Sequence, residues 1–307
     1  MTWLLAAVGG HLMNAAAFII DKSLLTAAFK RSGTYAFVIG LISASILIFL
    51  PTVSWNLDAG AWLAVGIFGS VFVLALWAFF EALSRAEASR IVPIVGSLVP
   101  VFTLVDSAAV LGERLPIRTL LGLVFLIGAT VLLTRGGERG HRLRVSTAGL
   151  CVAAAFLFAA SSVSGKYAFE HVPFLDAFVL SRLFSLAFAA AIPIVSPRAR
   201  REIVSLLRPG RHPAGPQPGH VLLMAAGQAS GAVGFVGVQY AISLGSATVV
   251  NALQAVQYAA IVLVAWLGGK RLSGLLKEDL SRKTLVLKGV AIALVGIGLV
   301  LVGLPVA

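Results

Sequence analysis

Residues 81–115 read EALSRAEASRIVPIVGSLVPVFTLVDSAAVLGERL, and residues 240–272 read YAISLGSATVVNALQAVQYAAIVLVAWLGGKRL. Each opens on an Ala-x-Ser step, Ala82-Leu83-Ser84 and Ala241-Ile242-Ser243. A mostly apolar run follows, close to the roughly 20 residues that cross a bilayer. Each then ends on Gly-[Glu/Lys]-Arg-Leu. The spacing from Pro100 to Glu113 equals that from Gln257 to Lys270, thirteen residues in both. One matching hairpin in each half of the chain reads as an internal duplication.

Composition sets the solvent. Apolar residues are 59% of the 307 and charged residues only 12%, about half the charge share of a soluble domain. The net charge of +12 does not point to nucleic acid, because the basic residues lie between apolar runs. The single cysteine, Cys151, permits no intramolecular disulfide and no CxxC metal site; it reads as a small packing residue. Trp3 to Ile20 lacks a basic segment before it and reads as a retained first helix. No HExxH, GxSxG, Walker A or dinucleotide-binding motif is present, so neither an enzyme nor a cofactor is expected.

The apolar runs predict an all-helical integral membrane protein with ten spans, near 2–20, 34–51, 61–83, 91–111, 119–134, 147–165, 175–195, 220–242, 247–268 and 285–303. Gly136 to Gly140, with His141 to Val145, forms a basic linker between halves. The polar loop from Pro197 to Gly219 suggests a short surface helix at Glu202 to Leu207. Of the 24 Lys and Arg, 20 fall after odd-numbered spans, three on the opposite side, and Arg182 within a span. The positive-inside rule then puts odd loops in the cytoplasm and both termini outside. In a bacterial-type cell this is the inner membrane, and the basic surplus also favours contact with anionic lipid.

Other pieces match between halves: Ile20-Asp21-Lys22 with Ser164-Gly165-Lys166, Tyr35 to Val38 with Asp176 to Val179, and Leu121-Gly122 with Lys288-Gly289. The expected organisation is a first repeat at 1–134, a linker at 135–146 and a second repeat at 147–307. Five helices per repeat is an odd number, so the second copy enters from the opposite face. Inverted repeats imply alternating access, with the solute near the midplane where the repeats meet.

At this point the chain resembles the EamA-type transporters of the drug/metabolite transporter superfamily, along essentially its whole length. The residues that carry the resemblance are Ala88-Ser89-Arg90 leading into Pro100-Val101, then Leu111 to Leu115, then the glycine-spaced fifth helix from Gly122 to Gly128. Ser181-Arg182-Leu183 looks like the arginine of the second helix in such a repeat. The resemblance implies transport but not a substrate, since relatives carry amino acids, sugars, nucleotide sugars, choline-like cations and other metabolites. Two features depart from it. Lys270 stands where relatives often have Glu, and the basic residues favour the reverse of the usual orientation.

Ionisable residues within spans are costly in lipid and usually face the bundle interior. Asp106 and Arg182 fall at equal depth, which allows either a structural ion pair or a coupling role. His11, Asn14, Asp21 and Lys22 share an arc of about 100° on span 1. His11 is a candidate for proton coupling or a satisfied hydrogen-bonding group, and Asp21 with Lys22 reads as a rim salt bridge. Span 9 holds Asn251, Gln254, Gln257 and Tyr258, a neutral polar cluster suited to a solute pocket or to helix–helix contact. Ser97, with Pro93 and Pro100, lies on the matching wall of span 4, where the prolines could break the helix. Gly227, Gly231, Gly234 and Gly237 of span 8 suggest close helix packing. Glu81, Arg85, Glu87 and Arg90 form a charged hairpin cap or gate, and Glu113 with Arg114 a second at the other end.

The expected function is secondary transport of a small polar metabolite, with helices 1, 4, 6 and 9 lining the path. Expected partners are the solute, membrane lipid, and protons or another coupling ion. A flippase using Lys22 and Lys166, and a scaffold using the loops 197–219 and 273–284, are the alternatives. Oligomeric state is left open, because small residues serve dimer and internal packing alike.

Overall fold

The computed structural model describes residues 1–24, 44–85, 88–133, 144–207, 218–268 and 282–303, with 37 and 41. Among them every regular element is helical: α1 (Thr2–Leu24), a 3-10 segment (Ala44–Thr52), α2 (Ala59–Arg85), α3 (Ala88–Val110), α4 (Ile117–Leu133), α5 (Val145–His171), α6 (Phe174–Val195), α7 (Pro197–Leu207), α8 (Pro218–Leu244), α9 (Ala247–Ala252), α10 (Gln254–Leu267) and α11 (Arg282–Gly303). Among the described residues five stretches are long and apolar enough to cross a membrane: Thr2–Ile20, Ala59–Arg85, Val145–His171, Phe174–Val195 and Ala247–Leu267. Ile94–Val110, Ile117–Leu132 and Val286–Val302 are shorter apolar helices. The chain is a multi-pass membrane protein.

Each expected span other than the second has a described helix at its position. In the second span 34–36, 38–40, 42 and 43 lie outside the described residues, and its end is the 3-10 segment Ala44–Thr52; Gly136 to Gly140 of the linker and Lys270 also lie outside them. The expected surface helix at Glu202–Leu207 is present but begins earlier, at Pro197. Two expectations about helix continuity change. Span 4, where Pro93 and Pro100 offered a means of breaking the helix, is the continuous α3. Span 9, expected to be unbroken, is divided at Leu253. Lys288, counted with a cytoplasmic loop, is buried within α11.

The helices form two compact units, and each unit draws on both halves of the chain. The first unit comprises Met1–Ala27, Ala88–Arg142 and Gly219–Ala307. In it α1 and α8 run antiparallel at close range: Trp3 lies against Gly245, Gly10 against Gly237, and Ala17 against Gly231. A Cβ on Gly10 would fall 2.8 Å from the Val238 nitrogen and 2.9 Å from the Gly234 oxygen, so only glycine lets these backbones meet. α4 and α11 cross in the same way, where Cβ atoms on Gly122 and Gly298 would each lie within 3.2 Å of the other's carbonyl oxygen. Small residues at such crossings are what drives helix association where lipid removes the hydrophobic term.

The second unit comprises Ala28–Glu87 and Leu143–Pro218. Gly165 of α5 sits under the Phe68 ring, and Ser161 Oγ donates to the Phe68 carbonyl at 2.9 Å. On α2, Gly69 admits the Ser181 carbonyl of α6, and Ser185 Oγ donates to the Gly69 oxygen at 2.9 Å. Asp58 caps α2 by accepting from the Ala61 N–H at 2.7 Å. The short α7 turns Ala199 and Ile203 into a core with Val73, Leu76, Ala189 and Ile192, while Arg200 and Arg201 are exposed.

The two hairpins of the opening comparison share a local device. Ser84 near the end of α2 donates to the Glu81 carbonyl at 2.8 Å, and Ser243 near the end of α8 donates to the Tyr240 carbonyl at 2.7 Å. Both serines thereby turn their hydroxyls back onto their own helix, three residues upstream.

Candidate functional site

Most of the candidate polar residues fall in the first unit, around the break in span 9. Thr248, Val249 and Val250 are β-branched and carry low helix propensity, so α9 lasts only from Ala247 to Ala252. Ser246 caps its start, accepting from the Val249 N–H at 3.2 Å. At Leu253 the pattern changes: its N–H reaches the Val249 oxygen at 3.0 Å, while Val256 N–H bonds the Leu253 oxygen at 2.9 Å, a three-residue step. The break lies about 10 Å inside the end of the span.

Side chains from two other helices hold the polar groups at this break. His11 of α1 is buried, and its Nε2 lies 2.9 Å from the Val250 oxygen. A carbonyl only accepts, so Nε2 carries the proton in this bond. Nδ1 of the same ring has no hydrogen-bond partner among the described residues. Asn251 Nδ2 donates to Thr103 Oγ1 of α3 at 3.0 Å, and that hydroxyl donates to the Val99 oxygen at 2.7 Å. One hydroxyl thus bridges two helices.

α3 and α9–α10 run antiparallel in a fixed register. Gly96 receives the Tyr258 phenol, whose oxygen would stand 2.6 Å from any Cβ there. Thr103 meets Asn251 seven residues further along both chains. Tyr258 is buried, whereas Gln254, Gln257 and Asn251 are half-buried. Ser97 turns its hydroxyl back to the Ile94 oxygen at 3.1 Å. Asn14 packs its amide oxygen over Gly234, at the α1–α8 crossing.

The Gly112-Glu113 step has a physical explanation. Gly112 has φ +63°, the left-handed conformation that favours glycine. The Glu113 N–H then bonds the Ser107 oxygen at 3.2 Å, an oxygen that also accepts from the Leu111 N–H at 3.0 Å, so the turn folds back on the last turn of α3. This turn throws the Glu113 carboxylate back to accept from Thr248 Oγ1 at 3.4 Å, in the first turn of α9. A carboxylate there also meets the positive end of the helix dipole. Arg114 is exposed.

In the second unit Arg182 is 1% exposed. Its guanidinium carbon lies 5.0 Å from the Phe68 ring centre, 5.1 Å from Phe178 and 5.5 Å from Phe72, and its Nε and Nη2 donate to Ser181 Oγ at 3.2 and 3.1 Å. Ring faces stabilise a desolvated cation by up to about 2 kcal/mol. Asp106 belongs to the first unit. Elsewhere, within the charged hairpin cap, Glu81 and Arg85 form a salt bridge at 2.8 Å, and Lys166 pairs with Glu170 at 3.3 Å. Glu87 and the side chains of Asp21, Lys22 and Arg90 lie outside the described residues.

Sequence reasoning missed Thr103, Thr248, Ser107 and Gly96. A signal for two of them existed: Thr103 and Ser107 are four apart in an apolar run and so share a helix face.

Known proteins bear on the fold and on half of this site. A solved crystal structure matches the chain with a TM-score of 0.67 over 97% of this chain and 95% of the other. At 18% identity that likeness concerns the fold. No curated protein sequence matches. Residues 1–135, which hold His11, Ser97, Thr103, Asp106 and Glu113, match the EamA-like transporter family.

Proposed function

We propose that the protein is a secondary transporter that moves a small polar metabolite by alternating access of two inverted five-helix repeats, 1–134 and 147–307. The observation that carries this reading is the break at Leu253 within a polar membrane helix, with His11 and Asn251 fixed beside it. Irregular backbone at membrane depth is tolerated where it is buried in protein or lines a cavity, and broken helices are where transporters bind their solutes. Asn251 and Tyr258 serve the helix contact as well as the wall of the path, so Gln254 and Gln257 are the principal solute contacts, with Asn14 and Ser97 at its edges. Asp106 and Arg182 are the candidates for coupling, together with His11. Both termini lie outside, and the odd-numbered loops face the cytoplasm of the cell that holds the protein in its inner membrane.

Reconstituted vesicles test the proposal. Purified protein is first screened for stabilisation by polar metabolites, since a ligand raises the melting temperature through RT ln(1 + [L]/Kd). Stabilising solutes are then followed as radiolabelled flux. Expected is saturable uptake that falls about tenfold or more in Gln254→Ala, the loss of one or two hydrogen bonds to a polar solute. Solutes that stabilise without moving would end the transport reading.

A further inference from the structure

The chemistry of the unsatisfied atoms in the first unit bears on which solute the site takes. Among the described residues, His11 Nδ1, Asp106 Oδ2, Ser107 Oγ and Gln239 Oε1 are buried without a hydrogen-bond partner. His11, Ser107 and Gln239 are themselves at most 5% exposed. Nε2 of His11 already donates to Val250, so the neutral ring can only accept at Nδ1. The carboxyl and amide oxygens are acceptors, and the serine hydroxyl can act as one.

These atoms share a depth. The register set by Gly96 with Tyr258 and Thr103 with Asn251 puts Asp106 opposite Thr248, and Ser107 opposite Ala247. His11 touches Val250. Gln239 stands two residues beyond Gly237, which lies against Gly10. All four therefore lie within about one to two helical turns along the membrane normal. A belt of bare acceptors in lipid is costly unless something donates to it.

We propose that this acceptor belt binds the N–H donors of a primary-ammonium solute. The proposal rests on the transport reading and names its substrate class. Three N–H groups on one compact cation match several acceptors at one level, and acidic Asp106 adds the opposite charge. A quaternary ammonium keeps the charge but has no N–H, and a carboxylate brings the wrong sign.

Three solutes with one skeleton test it on the full-length protein: 2-aminoethanol, its N-trimethyl analogue and hydroxyacetate. Expected is stabilisation by 2-aminoethanol alone, with Kd weakened about tenfold by Ser107→Ala or His11→Ala. His11 also ties α1 to α9, so loss of fold in His11→Ala would be read through Ser107→Ala and through His11→Gln, which keeps a donor and an acceptor. Equal stabilisation by the trimethyl analogue or hydroxyacetate overturns the proposal, as does a 2-aminoethanol shift indifferent to Ser107→Ala and His11→Gln alike. No shift with any of the three means that the belt holds hydration water only, which also overturns it. Transport itself falls only with the flux assay, where other polar solutes are free to succeed.

Discussion

Gly9 and Gly10 are neighbours with opposite surroundings. A Cβ on Gly9 meets nothing within 4 Å, whereas one on Gly10 would run into the backbone of α8 at Gly234 and Val238. A backbone obstacle cannot rotate aside, so overpacking here should cost about 1–3 kcal/mol. Gly10→Ala is therefore expected to lower the thermal unfolding midpoint in detergent, and Gly9→Ala to leave it unchanged or slightly raised. Equal effects of the two would dissolve the α1–α8 contact described above. Residue types were readable before residue partners. His11, Asn251 and Tyr258 stand out as polar letters in apolar text, but their use of Val250, Thr103 and Gly96 depends on which helices meet. Chemical type is local, and partnership is not.

At the scale of elements, the break in span 9 and the cap of α3 hold each other. Asn251 reaches Thr103 from just before the break, and Glu113 reaches Thr248 from just after the Gly112 turn. A double-mutant cycle on Asn251→Ala and Thr103→Val should give a coupling of about 0.6 kcal/mol, with an upper bound near 1.7, the range for such bonds in membranes. Additive effects would show that the two side chains do not share a bond. Most helix positions were legible because hydropathy marks where lipid must be met. The break was not, since neither proline nor glycine marks Leu253. Pro93 and Pro100 misled in the other direction, because neighbouring helices and local adjustment can absorb a proline in a membrane helix.

Across the whole molecule, the duplication expected from the sequence and the compact units of the structure partition the chain differently. The first unit pairs α1 with α8 and α4 with α11, and the second pairs α2 with α5. Every one of these contacts joins a helix before residue 135 to one after residue 144. Periodicity could reveal two similar halves, but not that packing would interleave them. Residues 1–134 and 147–307 expressed as separate chains should each be unstable, yet should copurify and give one unfolding transition when made together. Stable, well-behaved halves in isolation would contradict the interleaving.

That arrangement also sets a timetable for biogenesis. At about 5–20 residues per second, a ribosome needs roughly 10–45 s to make the roughly 220 residues between Gly10 and Gly234. For all that time the bare glycine face of α1 is in the membrane before its partner has been synthesised. The nascent chain needs a temporary neighbour there, whether the insertion machinery or a holding factor, and depletion of that neighbour should harm this protein more than one whose helices pack in order of synthesis.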